Sequence, residues 1–173
     1  MKRAIAAALL TLGLGLAGCA DNLEPLGPTG AVTPPPPPPP PPTVETGAIV
    51  GLGVFHTHTG RTVSCAGLSV AATLESPAGH DRMLAIYGSA FHAFEPVAAA
   101  KAKAARLGAP PPITASGQCD GDGRFRLTDL QAGAYFLLAR VRVFSEDHPP
   151  TDAVVLQRVV LRPGETRSLQ LSE

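Results

Sequence analysis

The chain has 173 residues and no net charge, with 14 lysine and arginine against 14 aspartate and glutamate residues; it carries no tryptophan, 2 tyrosines, 6 phenylalanines, 18 glycines and 19 prolines. That length predicts one folded core with accessories rather than two domains. The balanced charge excludes a nucleic-acid binder that tracks phosphates, and so few aromatics exclude a base-stacking platform.

Lys2 and Arg3 open the chain, followed by an apolar run over residues 4–16. About 13 apolar residues match the hydrophobic region of a signal peptide and fall short of the ~20 that span a bilayer. The run closes on Leu16-Ala17-Gly18-Cys19, which resembles the lipobox of bacterial lipoproteins. The resemblance implies that residues 1–18 are a lipoprotein signal peptide and that Cys19 becomes the lipidated N-terminus. Its acyl chains, palmitate among them, would make the membrane a partner through the lipid. Ala20, rather than aspartate, after the cysteine implies export to the outer membrane in preference to the inner one.

Residues 19–46 hold almost nothing that builds a core, and residues 34–42 are nine consecutive prolines. A polyproline II run rises about 3.1 Å per residue, so it reads as a semi-rigid spacer of roughly 28 Å. A ligand for a proline-reading groove is the alternative.

From residue 47 onward the pattern becomes that of strands, and 47–173 is the expected folded domain. Residues 46–55 and 68–74 alternate apolar with small or polar positions, which predicts two half-buried strands. A helix is predicted over residues 94–107, alanine-rich, with Pro96 at its start, Lys101, Lys103 and Arg106 near its end, and Gly108 beyond. Together with a turn-rich stretch at 75–82 it forms an insertion. Residues 123–127 put Phe125 and Leu127 on one face and Arg124 and Arg126 on the other, and 134–144 keep Tyr135, Leu137, Ala139, Val141 and Val143 in phase. The turn between them, 128–133, places Gly133 in a backbone conformation closed to other residues. Residues 154–161 and 166–171, joined by 162–165, predict a closing hairpin. Six or seven short strands separated by glycine and proline turns predict an all-β fold, an antiparallel immunoglobulin-like sandwich of about seven strands with a short helical insertion.

The phrase Asp122-Gly123-Arg124-Phe125-Arg126-Leu127, then Leu130, then Gly133-Ala134-Tyr135 resembles the carboxypeptidase regulatory-like module. The resemblance implies a transthyretin-like β-sandwich over residues 47–173, an accessory or display domain without catalytic residues. The expectation is therefore a lipid-anchored envelope protein that is not an enzyme, displaying a binding or structural module to an envelope protein or glycan.

Export carries Cys65 and Cys119 into an oxidising compartment, which predicts a disulfide between them. Asp120-Gly-Asp-Gly starts like a calcium loop but has Arg124 at its fifth position and Gln131 at its twelfth, so it reads as a hairpin turn. His56 and His58, two apart on a strand, would share a face; a metal-binding or enzymatic site around them is the alternative function. No third ligand is fixed by spacing, so neither a metal nor a cofactor is expected. There is no G-x-S-x-G, no H-E-x-x-H and no glycine-rich phosphate loop. Arg124, Arg126, Arg140, Arg142, Arg158 and Arg162 alternate with apolar residues and are expected on outer faces.

Overall fold

The computed structural model describes residues 45–173; the signal segment, Cys19 and the proline run lie outside the described residues. In chain order the elements are β1 (Gly47–Leu52), β2 (Val54–His56), β3 (Thr62–Ser64), β4 (Ser69–Leu74), α1 (Pro77–Tyr87), β5 (His92–Pro96), α2 (Val97–Ala104), β6 (Ala115–Gln118), β7 (Arg124–Leu130), β8 (Gly133–Phe144), β9 (Thr151–Leu161) and β10 (Thr166–Gln170). A three-stranded sheet, β10-β1-β7, faces a seven-stranded sheet organised around β8. One edge of β8 pairs with β4 and then β3, its other edge pairs with β9, and β9 pairs onward with β5.

Strand periodicity produces this sandwich. Tyr135, Leu137, Ala139, Val141 and Val143 of β8 all point inward and are buried. They meet Ile49 from β1 and Phe125 and Leu127 from β7 in one core. Burying each large side chain stabilises the fold by about 2 kcal/mol before ordering costs. Phe136 and Leu138 point the other way. Phe136 and Leu156 are buried beneath Met83 of α1 in a second, smaller core on the outer face.

The fold has more strands than the seven expected, because long patterns break where the chain changes sheets. Residues 46–55 split at Gly53: β1 lies in the small sheet and β2 in the large one. A Cβ at Gly53 would stand 2.5 Å from Cys65 Sγ, so only glycine fits this crossing. The closing hairpin does not form. β9 stays with β8 and β5, while β10 crosses to the other sheet and pairs parallel to β1, Ala48 opposite Thr166. The turn that carries it across is held by Glu165, whose carboxylate accepts the Arg162 N–H at 2.8 Å and whose carbonyl accepts that of Ala48 at 2.9 Å.

The insertion also differs from the expectation. Residues 92–96 pair with β9 as a strand, so the helix predicted over 94–107 starts only at Val97. The stretch 75–82, expected to be turns, enters α1: Ser76 Oγ accepts the Gly79 N–H at 3.1 Å, Pro77 follows, and Gly88 closes the helix at φ 72°. In the stretch expected to turn, the left-handed residue is Asp129 near the end of β7, at φ 60°, not Gly133. At Gly133 a Cβ would approach the half-exposed Leu74 Cδ1 to 3.0 Å, a tight contact that the leucine side chain would have to yield to.

Candidate functional site

Two loops meet at one end of the large sheet. The first joins β2 to β3. It is a tight turn in which the Thr57 N–H reaches the Arg61 carbonyl at 2.9 Å, and Thr57 Oγ1 accepts the Arg61 N–H at 3.1 Å. Thr57 is buried, and its hydroxyl also bonds that of Thr59 at 2.9 Å. The second loop, residues 145–150, joins β8 to β9 and carries Ser145, Glu146, Asp147 and His148. Its proline pair, Pro149-Pro150, favours extended backbone, consistent with a loop that does not fold back into a helix.

Between these loops lie two adjoining hollows of about 490 and 580 Å³. Thr59, Arg61, Ser145 and Asp147 line both of them. Phe144 forms a wall of one and is 42% exposed, although its neighbour Val143 is buried in the core. Strand alternation explains the contrast: Val143 lies on the inner face, so Phe144 points outward, opposite Thr62, which is itself opposite His56. Among the described residues Arg61, Glu146, Asp147 and His148 enter no ion pair. Arg61 Nε donates to Thr59 Oγ1 at 3.1 Å within the first loop. An open cleft with an aromatic wall and polar side chains outside any ion pair suits a ligand with both an apolar face and hydroxyl groups.

Next to this row on the outer face, Asp152 is gripped by two arginines. Arg140 Nη2 lies 2.9 Å from Oδ2 and Arg142 Nε lies 3.1 Å from Oδ1. The hydrogen bond from Arg142, aided by the Arg142 charge and by Arg140, holds the Asp152 carboxyl below its ordinary range against the opposing effect of burial. The pair keeps both guanidinium groups extended over the strand rather than free in solution.

The other predicted site residues separate from this cleft. Cys65 and Cys119 form the expected disulfide, with Cα atoms 5.7 Å apart. It joins the end of β3 to the end of β6, and so ties the whole insertion at its base. Asp120 spends its carboxylate on its own backbone: Oδ1 accepts the N–H of Asp122 at 3.0 Å and of Arg124 at 2.8 Å. The turn is tight as expected, but it is not a hairpin, since β6 and β7 belong to different sheets. His56 and His58 are not two apart on a strand, because β2 ends at His56. The His58 N–H instead reaches Glu173 Oε2 at 2.7 Å in the following turn. Among the described residues no group of three or more His, Cys, Asp or Glu side chains is placed to hold a metal ion. Arg158, expected on an outer face, lies there but pairs with Glu75 at 2.7 Å and sits 5.8 Å over the Phe91 ring.

Sequence reasoning missed the cleft. Its only signal was a polar loop, Ser145-Glu146-Asp147-His148, following an aromatic residue that lay out of phase with the buried side chains of its strand.

No protein-family model matches this chain, and no curated protein matches it. Among solved structures, a candidate carbohydrate-binding protein from Pseudomonas aeruginosa superposes with a TM-score of 0.51 at 15% identity, over 75% of this chain and 90% of that one. A 9R-lipoxygenase from Cyanothece aligns at a TM-score of 0.30 and 10% identity, over 75% of this chain and 16% of its own. The first likeness places the described domain in a fold already seen in a bacterial protein.

Proposed function

We propose that this protein is a non-catalytic carbohydrate-binding module, displayed on the cell envelope by a lipid on Cys19 and held off the membrane by the proline spacer. The observation that carries the reading is the end cleft, with the half-exposed ring of Phe144 beside the polar side chains of Arg61, Glu146 and Asp147. A sugar ring has an apolar face that stacks on an aromatic side chain and a rim of hydroxyls that both donate and accept hydrogen bonds. The description of the Pseudomonas structure as a candidate carbohydrate binder agrees with that chemistry. The leader, the lipobox cysteine and the resemblance to carboxypeptidase regulatory-like modules support the remainder: an exported, outer-membrane display domain that binds without turnover.

The test is retention on a panel of immobilised glycans, comparing the full-length protein with a Phe144→Ala variant. Removing a stacking anchor is expected to weaken binding about tenfold or more. Equal retention of both proteins on every glycan would refute the assignment of the cleft.

A further inference from the structure

The small sheet ends at β10, whereas the large sheet continues past that edge through β9 to β5. The inner side of β9 therefore overhangs, and a cleft of about 380 Å³ opens between β9 and β10, lined by Gln157, Arg162, Glu165, Arg167 and Ser168 among others. Gln157 stands opposite Leu137 in the β8–β9 ladder and so shares its core-facing side. Alternation would put an apolar residue at that position. A carboxamide occupies it, and its Oε1 is buried with no hydrogen-bond partner. Such an acceptor weakens a fold, and it persists where it serves something other than stability.

The charges of the cleft are incompletely matched. Arg167 Nη1 lies 3.6 Å from Glu165 Oε1, a loose pair, and the second Glu165 oxygen is occupied by the Arg162 N–H. The Arg162 side chain enters no ion pair among the described residues. Two guanidinium groups thus line the cleft with the Glu165 carboxylate, and the Glu45 carboxylate stands beside Gly164 in the same turn.

We propose that this cleft is a second subsite, distinct from the Phe144 cleft, and that it takes a carboxylate-bearing sugar residue. The carboxylate lies on Arg162 and Arg167, a geometry guanidinium groups favour. Ring hydroxyls donate to the Gln157 carboxamide oxygen and exchange hydrogen bonds with Ser168. The terminal torsion of a glutamine is broad and nearly two-fold, so a half-turn exchanges Oε1 with Nε2 and presents the oxygen to the cleft that the side chain already lines. A neutral sugar would offer the two guanidinium groups no carboxylate, and a simple anion would leave the Gln157 oxygen unpaired.

The inference rests on the carbohydrate reading, and the experiment separates the two. Full-length protein in detergent is titrated with oligogalacturonate and sialyllactose, and with methyl-esterified oligogalacturonate and lactose as their neutral counterparts. The acidic members should bind more tightly than the neutral ones. The double variant Arg162→Ala, Arg167→Ala should lower the affinity for the acidic members about tenfold or more while leaving neutral glycans unaffected. Gln157→Leu should lower it as well and, by removing the unpaired acceptor, raise the urea midpoint. Equal affinity for acidic and neutral members, or acidic binding untouched by the double variant, overturns the subsite while leaving the Phe144 cleft standing. Failure to bind any saccharide overturns both.

Discussion

Single residues decide where this sandwich is firm and where it is open. Tyr135 is buried at the start of β8, yet its hydroxyl donates to the Gln131 carbonyl at 2.7 Å, tying the β7–β8 turn to the core. The same burial raises its pKa. Tyr135→Phe removes that bond alone and should lower stability by about 1 kcal/mol, read as a drop in urea midpoint at unchanged slope. Glu75 is a contrasting case at the surface of the second core. Its carboxyl is held below its ordinary value of 4.5, first by the Arg158 hydrogen bond and also by the Arg158 charge and by His80. A depressed carboxyl favours the folded state fully above its unfolded pKa, and the contribution fades as pH falls through the lowered value. Wild-type protein should therefore lose stability over the acid range more steeply than Glu75→Gln, measured as urea midpoints between about pH 6 and pH 3. Identical slopes would show that the pair is thermodynamically silent.

At the scale of elements, the amount legible in the sequence depended on whether a local rule had a competitor. The alternation in β7 and β8 named the residues of the main core correctly, because the face turned to that core has a single workable register, but it did not show Phe136, buried on the other face of β8 under α1. The disulfide was legible from the cysteine count together with the expectation of export. The hairpin after Leu161 was not, because a short glycine turn serves equally well to carry a chain between sheets, and the choice is made by which edge, β9 or β1, is free. Helix α1 was legible in principle: Ser76-Pro77 and Gly88 are start and stop signals, overlooked because its apolar positions are few. The end cleft stayed hidden, since two loops separated by about eighty residues in sequence build it, and only the β3–β8 register brings them together. The disulfide makes a prediction at this scale. It closes a segment containing β4, both helices and β6. By chain entropy the bond is worth about 4 kcal/mol. The Cys65→Ala, Cys119→Ala double variant should keep its sheet signature, unfold at lower denaturant, and be cut first by trypsin at exposed Arg106, just beyond α2. Cleavage elsewhere in the sandwich before that site would contradict the view that the bond guards the insertion.

For the whole molecule, the reading joins three parts with separate tasks: an address, a spacer and a binding domain. The address is testable without reference to the ligand. Cys19→Ala should leave an unprocessed precursor and release the domain from its acyl attachment; high-salt fractionation and the mass of the N-terminal peptide check both. The domain's own part follows from its layers. Helices cover the middle of the outer face of the large sheet, and the loop end beside Phe144 and the overhang beside β10 lie clear of them. The measurement that bears most directly on this account is an amide-resolved NMR titration of the protein with the glycan it retains best. Shifts concentrated at residues 59–62 and 144–151, saturating together and abolished by Phe144→Ala, are the predicted result. Saturable binding that leaves both of those loops unmoved would contradict it.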